Sequence, residues 1–258
     1  MSLTRRSALI GACLLAASAC STGTSTLSAA PKTVLVAGAT GRTGTPVVTQ
    51  LLADGYKVRV LVRDPAKART TLGDQVTYFT GDVTDPASLA PAMQGADAVI
   101  SAIGAKGKDG PNRPEVIDYQ GVRNLATAAS AAGVKQFVLV SSRAVTQKDH
   151  PLNRMFGDVL IWKLKGEDAL RASGVPYTII RPGGLGNGEP GKNAFVIEQG
   201  DKVTGQTTIA RADVATVCVQ ALKYPEARNR TFEVNTVQGS PMTDWRVRFA
   251  ELKPDPSP

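Results

Sequence analysis

Three evenly spaced glycines are the residues of this sequence best suited to binding a phosphate. Gly38, Gly41 and Gly44 stand in the segment VAGATGRTG, between a β-branched run at 33–37 and helical spacing at 43–53. Such glycines permit a tight turn, close approach of backbone to a pyrophosphate, and close packing of helix on sheet. The helix N-terminus offers N–H groups and a positive dipole end. A merely tight turn is the alternative to a dinucleotide site, whose predicted residues are Gly38, Thr40, Gly41, Arg42, Thr43 and Gly44.

The residue after the second predicted strand indicates which dinucleotide is preferred. Enzymes that select NAD usually end this strand with Asp or Glu, which holds the ribose 2′-hydroxyl. Here the strand at 57–62 is followed by Arg63. Arg63 and Arg42 together could bind a 2′-phosphate, because guanidinium is permanently charged and matches phosphate geometry. The sequence therefore favours NADP over NAD, while Asp64 leaves an exposed Arg–Asp loop as the alternative.

The elements that must position these residues alternate along the chain. Strands are predicted at 33–37, 57–62, 76–79, 98–102, 136–141 and 177–180, and helices at 43–53, 86–93, 115–132 and 160–173. This alternation is typical of a parallel sheet covered by helices on both faces. After Gly183 the pattern loosens into strands near 207–209 and 231–235, a helix at 212–223 and a short last helix. We predict an α/β fold, a doubly wound parallel sheet with a small C-terminal extension on the substrate side.

Residues 1–30 are predicted to be a signal peptide and tether, with a buried N-terminal helix as the alternative. Arg5 and Arg6 resemble a twin-arginine export signal, and the apolar run at 8–19 is too short to span a bilayer. The segment before Cys20 resembles a lipoprotein cleavage site, so a membrane-anchoring lipid on Cys20 and plain cleavage after Ala30 both stay open. These features predict export across a bacterial inner membrane, to a periplasmic or lipid-anchored location.

Composition excludes several other functions. The chain of 258 residues has a formal net charge of +8, but no basic run with interleaved aromatics, so we expect an anionic small-molecule ligand and no nucleic acid. With one histidine and three cysteines, it offers no metal site of the Cys/His type. Cys218 lies in an apolar helical pattern, which indicates an inert buried thiol.

Several segments together resemble the atypical short-chain dehydrogenase/reductases, specifically the NAD(P)H-binding group with NmrA-like and flavin or biliverdin reductase-like proteins. The segments are GATGRTG (38–44), LVRDP (61–65), GDVTD (81–85), VISAIGA (99–105), VLVSS (138–142), DHPLN (149–153), KLKGEDALRASGVPYTIIRPGGL (163–185) and RADVA (211–215). The resemblance implies that residues 31–258 form a single NAD(P)-binding Rossmann domain.

The resemblance also implies roles for further residues. Asp82 and Val83 would hold the adenine edge, and Lys163 would reach the nicotinamide ribose. The other implied cofactor contacts are Ala102, Ile103, Gly104, Ser141, Pro182 and Gly183, with Arg181 beside the nicotinamide pocket and Ser142 next to Ser141 at the end of its strand. Each motif taken alone has an ordinary alternative, such as a helix cap for Asp82 or a strand-end turn for the two serines.

One departure from the wider superfamily decides the predicted chemistry. Many members use Tyr-x-x-x-Lys, in which the phenol passes a proton to or from the substrate oxygen. If Lys163 is that lysine, Val159 stands at the tyrosine position, and valine cannot transfer a proton. We therefore predict hydride transfer from NADPH to a small-molecule acceptor, quinone-like or flavin-like, with Ser142 and Lys163 as catalytic residues and Ser142 or water giving the proton.

Two questions stay open at this stage. Phe156, Trp162 and Tyr177 could stack on a planar acceptor, but their spacing fits core packing equally well. The NmrA-like resemblance also implies a second function, a non-catalytic NADP-binding redox sensor or interaction protein.

Overall fold

The computed structural model describes residues 33–202 and 208–256. The predicted signal peptide and Cys20 lie outside the described residues. The strands are β1 (Thr33–Ala37), β2 (Lys57–Val62), β3 (Thr77–Thr80), β4 (Ala98–Ser101), β5 (Gln136–Val140), β6 (Tyr177–Pro182), β7 (Gly184–Gly186), β8 (Ala194–Glu198), β9 (Thr208–Ala210) and β10 (Arg230–Val237).

Helices separate most of these strands. They are α1 (Gly44–Ala53), α2 (Pro65–Leu72), α3 (Ala90–Met93), α4 (Val122–Ala131), α5 (Pro151–Met155), α6 (Val159–Ala172), α7 (Arg211–Lys223) and α8 (Trp245–Ala250). A π-helical segment, Glu115–Gly121, runs directly into α4, and short 3₁₀ turns occupy Pro86–Ser88 and Pro225–Ala227. No helix in the described ranges is long and apolar enough to cross a membrane.

The main sheet confirms the predicted doubly wound architecture. Its strand order is β3-β2-β1-β4-β5-β6-β10-β8, and every pairing is parallel except that of β8 with β10. β7 and β9 pair separately as a parallel two-stranded sheet. This small sheet and β8 come after the sixth strand of the main sheet.

Both faces of the sheet are buried, and alternate residues of β1 pack in two different hydrophobic cores. Val34 and Val36 pack in a core with α1 and α7, whereas Leu35 and Ala37 pack in a second core with α3 and α4. Such burial on both faces explains the nearly continuous apolar sequence of the central strands.

The structure differs from the sequence prediction mainly in short elements. α2 was not predicted from the sequence, although Asp64 caps it and Pro65 occupies its first turn. The helix predicted at 86–93 divides into a 3₁₀ turn and α3, and the helix predicted at 115–132 begins as the π-helical segment.

A close contact between the π-helical segment and α6 positions one part of the site. A Cβ added to Gly166 would lie 2.2 Å from the carbonyl oxygen of Asp118, so glycine is required for this approach. Lys163 lies almost one turn earlier on α6. The contact therefore brings Lys163 beside Asp118.

Candidate cofactor and acceptor site

A crevice is expected where the chain reverses its direction of winding. β1 lies between β2 and β4, so successive crossovers leave β1 on opposite sides. In open α/β sheets, ligands bind at such a switch point, outside the carboxyl ends of the strands. The loops after β1, β2, β4, β5 and β6 carry most of the residues predicted for the site.

The loop after β1 has the geometry that a phosphate site requires. Gly38 has φ +80°, and an added Cβ would lie 2.6 Å from the Ala102 carbonyl oxygen; at Gly44 it would lie 2.1 Å from the Gly38 carbonyl oxygen. The N–H groups of Arg42 and Thr43 have no acceptor among the described residues, and the first turn of α1 contains no acidic residue. These N–H groups and the α1 dipole fit an anionic dinucleotide.

The end of β2 separates the roles of its two charged residues. Oδ1 of the exposed Asp64 carboxylate accepts the Lys67 N–H at 3.0 Å and caps α2. Arg63 is exposed and makes no hydrogen bond or ion pair with any described residue. A guanidinium in this position can accept a phosphate as its partner.

The residues predicted beside the adenine form a short turn. The Asp82 carboxylate accepts the N–H and hydroxyl of Thr84 at 2.9 and 2.8 Å. Val83 packs against Gly121, and its carbonyl accepts the Asn124 side-chain amide at 2.9 Å. These contacts tie the turn to α4, and the predicted cofactor roles of Asp82 and Val83 stay predictions.

Lys163 is held by a carboxylate that the sequence analysis missed. Its ammonium lies 2.7 Å from Asp118 Oδ1, and the Asp118 side chain is only 1% exposed. The other Asp118 oxygen accepts the Ala105 N–H at 3.2 Å, next to the predicted cofactor contacts Ala102, Ile103 and Gly104. No signal in the sequence singles out Asp118, because Glu115, Gln120 and Arg123 place other polar residues in the same helical stretch.

The position four residues before Lys163 has no proton to give. Val159 packs against the cluster of Ala144, Val145 and Leu160. The Ser142 hydroxyl is half-buried and donates to the Arg143 carbonyl at 3.0 Å. The two residues predicted to be catalytic, Lys163 and Ser142, each carry a proton bonded to nitrogen or oxygen.

Ser141 belongs to a buried network of charges. Its hydroxyl donates to Glu167 at 2.6 Å, and Arg181 binds both oxygens of Glu167 at 3.0 and 2.6 Å and Glu233 at 3.1 Å. Burial opposes the charge of Arg181, but its hydrogen bonds to Glu167 raise its pKa overall. Burial raises the pKa of Glu233, although Arg181 acts in the opposite direction.

This network corrects one implied contact and leaves others as predictions. Arg181, which the resemblance implied beside the nicotinamide pocket, points into the buried network instead. Pro182 ends β6 and Gly183 follows it, and both are buried; the Pro182 carbonyl accepts the Arg143 N–H and the Gly183 N–H donates to the Val234 carbonyl. The cofactor roles of Ser141, Pro182 and Gly183 stay predictions.

The three aromatic residues considered for stacking lie in different environments. Tyr177 begins β6, at the amino end of the strand, and its hydroxyl donates to Asp255 at 3.0 Å. It therefore lies at the wrong edge of the sheet to contact an acceptor. Trp162 stacks on Tyr119 with ring centroids 6.0 Å apart, and Phe156 is exposed.

The match to known proteins agrees with the geometry of the crevice. The NAD(P)H-binding family matches residues 38–225, from the first glycine of the loop to Pro225, two residues after α7. The chain belongs to the NAD(P)H-binding family. This member is 38% identical over 247 residues to the chloroplastic protein At2g37660 of Arabidopsis thaliana, with 86% of this chain and 76% of that protein covered.

Two further relatives are named as reductases. Sanguinarine reductase of Eschscholzia californica is 37% identical over 262 residues, covering 85% of this chain and 96% of that protein. The structure of ChuY, an anaerobillin reductase from Escherichia coli O157:H7, superposes with a TM-score of 0.68 at 26% identity, covering 81% of this chain and 100% of that one.

The relatives contradict the predicted location. Export across a bacterial inner membrane to a periplasmic or lipid-anchored site is wrong, because At2g37660 is a chloroplastic plant protein. So is TIC 62 of Pisum sativum, which is 38% identical over 176 residues, 59% of this chain but only 32% of that protein. The family match likewise begins at residue 38 and gives no support to a signal peptide or lipid anchor.

Proposed function

We propose that this protein is an NADPH-dependent reductase that delivers hydride to a conjugated acceptor of the quinone or flavin type. The observation that carries the proposal is the pair of Lys163 and buried Asp118 beside a valine at the tyrosine position. The names of two relatives, sanguinarine reductase and an anaerobillin reductase, support reduction as the reaction class.

The missing phenol restricts the acceptor. Reduction of a simple ketone places a full charge on one oxygen, which needs a proton from a well-placed acid. A quinone or flavin spreads the incoming electron pair over a conjugated system and needs less acid assistance. Val159 cannot donate a proton, so the chain's own residues favour the second kind of acceptor.

The side chains of the site have distinct proposed tasks. NADPH, when bound, supplies the hydride. Lys163, fixed by Asp118, holds the nicotinamide ribose, and the Ser142 hydroxyl or water gives the one proton that completes reduction to the hydroquinone. The loop at Gly38–Gly44 and the N-terminus of α1 hold the pyrophosphate.

Preference for NADP over NAD is part of the proposal. Arg63 is exposed without a partner among the described residues, and Asp64 is engaged in capping α2. The cap engages one oxygen of Asp64, whereas the whole guanidinium of Arg63 is available to bind a 2′-phosphate.

Steady-state oxidation of NADPH tests the proposal. We expect turnover with 1,4-naphthoquinone or FMN, loss of most of it in Ser142→Ala, and no effect of Ser130→Ala, an exposed serine on α4. Arg63→Ala should reduce the preference for NADPH over NADH, whereas Lys67→Ala on the neighbouring helix should not.

A second function remains as an outcome of the same experiment. If the protein binds NADPH but oxidises it no faster than buffer with any of these acceptors, the reductase proposal fails. An NADP-binding sensor or interaction protein would then be the better description, and a partner set that differs between NADP⁺ and NADPH would support it.

A further inference from the structure

Two arginines from distant parts of the chain converge on one neutral side chain. Arg42 Nη2 lies 3.1 Å from Asn187 Oδ1, and Arg211 Nη1 lies 3.0 Å from the same oxygen. Arg211 also donates to the Gly186 carbonyl at 3.0 Å. Neither guanidinium is paired with a carboxylate among the described residues.

The fold holds Arg211 in this position rather than leaving it on a free surface. β7 pairs with β9, with Gly186 opposite Ala210, so Asn187 and Arg211 follow the two paired strands side by side. The N-terminus of α7 is also tied to α1, because the Gln50 side chain donates to the Ala212 carbonyl at 2.9 Å. Arg211 thus meets Arg42, which belongs to the glycine loop after β1, at the Asn187 side chain.

This arrangement is electrostatically incomplete. Two full positive charges face the partial charges of the Asn187 amide oxygen and the Gly186 carbonyl oxygen, and burial together with Arg42 lowers the pKa of Arg211. An oxyanion would compensate both charges, since hydrogen bonds between guanidinium and a phosphate, sulfonate or carboxylate are stronger than those to an amide. Arg42 itself belongs to the glycine loop, whose N–H groups also favour an anion.

We infer that Arg211 is an oxyanion-binding residue of this site and acts as a clasp with Arg42. The ligand group is either a phosphate of the dinucleotide or an acidic substituent of the acceptor. This inference rests on the proposed cofactor site but not on turnover, because it assigns a binding role to Arg211. Asn187 occupies the position between the arginines that the oxyanion takes.

Calorimetric titration of NADP⁺ and NAD⁺ into wild type and Arg211→Gln shows which group supplies the oxyanion that Arg211 binds. Equal weakening for both dinucleotides, by about tenfold or more, assigns the clasp to the pyrophosphate. Weakening confined to NADP⁺ assigns it to the 2′-phosphate. A third result assigns the clasp to the acceptor: dinucleotide binding is unchanged, and the NADP⁺ complex binds 1,4-naphthoquinone-2-sulfonate about tenfold more weakly but binds 1,4-naphthoquinone as before.

Asn187→Asp is the sharper variant. It places a tethered carboxylate between the two arginines, which should compete with the oxyanion and weaken the same ligand as Arg211→Gln does. Arg211→Lys should restore part of the binding, and Arg246→Gln, an exposed arginine paired with Glu226, is the matched control. A purely structural role for Arg211 does not predict weaker binding in Asn187→Asp.

One result overturns the inference. If Arg211→Gln and Asn187→Asp both bind NADP⁺, NAD⁺ and the sulfonated quinone within twofold of wild type, Arg211 is not an oxyanion ligand. Should Arg211→Gln fail to fold, Asn187→Asp decides alone, because Asn187 is exposed. Since every measurement is of binding, absence of NADPH oxidation would refute the reductase proposal and leave this test intact.

Discussion

The two sides of the crevice are built by different means. On the cofactor side, the loop between β1 and α1 uses backbone: glycines that leave no room for a side chain, and N–H groups at a helix N-terminus. We call the other side, where the nicotinamide and the acceptor are proposed to meet, the acceptor side; there the π-helical segment, α6 and β6 use buried charged side chains that meet across long sequence separations. The first design depends on the space around each glycine, whereas the second depends on every charged partner being present.

Removal of Glu167 should have the largest effect, on the acceptor side. Glu167→Ala would remove one of the two carboxylates that bind the buried Arg181 and leave Glu233 as the other. It would also remove the acceptor of the Ser141 hydroxyl. Breaking a buried ion pair from one side costs about 3–5 kcal/mol of unfolding free energy. Urea denaturation measures this loss.

The control for Glu167 is an exposed acid in a surface pair. Glu251→Ala removes the partner of Arg248 near the C-terminus and should change stability by about 1 kcal/mol or less. Equal effects of the two substitutions would mean that the acceptor side does not depend on its buried charges.

On the cofactor side, the corresponding change is the addition of one methyl group. In Gly44→Ala the new Cβ would lie 2.1 Å from the Gly38 carbonyl oxygen, so the loop must shift. Overpacking of this kind costs about 1–3 kcal/mol. We also expect loss of NADP⁺ binding by calorimetry, because the displaced loop no longer presents its N–H groups together.

Gly107→Ala is the matched control for that loop. A Cβ at Gly107 meets nothing within 4 Å, and its φ does not lie in the left-handed region. NADP⁺ affinity that falls equally in both variants would refute the steric explanation.

A smaller effect should follow from neutralising Asp118. Asp118→Asn keeps the shape of the side chain but removes the negative charge that holds the Lys163 ammonium. We expect kcat/KM for the quinone to fall about tenfold, equivalent to about 1.4 kcal/mol. Asp168→Asn, an exposed aspartate on α6, should leave kcat/KM within twofold, and the same insensitivity in Asp118→Asn would contradict the role of the pair.

The smallest predicted effect concerns the loop beside the small sheet and depends on pH. Burial raises the pKa of Asp213, although its hydrogen bond from the Gly191 N–H, 2.7 Å long, lowers it in part. The folded protein therefore retains this proton to higher pH than the unfolded chain. Wild type loses stability as pH rises from the ordinary aspartate pKa of about 3.9 through the raised folded value.

Asp213→Asn separates this charge effect from the hydrogen bond. The amide oxygen still accepts the Gly191 N–H, but nothing ionises. The stability of the variant relative to wild type should therefore improve between about pH 3 and about pH 7 in urea titrations. A difference that stays constant with pH would show that the Asp213 carboxyl is not penalised by burial.

Much of the fold could be predicted because its signals are local. The strands β1 and β2 begin and end where the β-branched runs predict, and the glycine loop was identified from its spacing between a predicted strand and a predicted helix. Short elements were missed or divided where local signals conflict, as at Pro86–Ser88 and Ala90–Met93, where prolines interrupt a helical pattern.

The acceptor side could be predicted only in part. Lys163 was found from a motif, but its partner Asp118 is 45 residues away, and no local pattern states that the two meet. Arg42 and Asn187 are 145 residues apart, and Arg211 joins them only because β7 pairs with β9. The motif around Arg181 suggested a position beside the nicotinamide pocket, yet two buried carboxylates hold the Arg181 side chain in the protein interior.

The sequence by itself therefore determined the α/β architecture, the glycine loop after β1 and the valine four residues before Lys163. These follow from residue types, because glycine, β-branched runs and a valine act through their own backbone and volume. Only the tertiary structure decided which charges face one another. Pairing of distant side chains depends on strand order and helix packing, which bring together residues that no spacing along the chain relates.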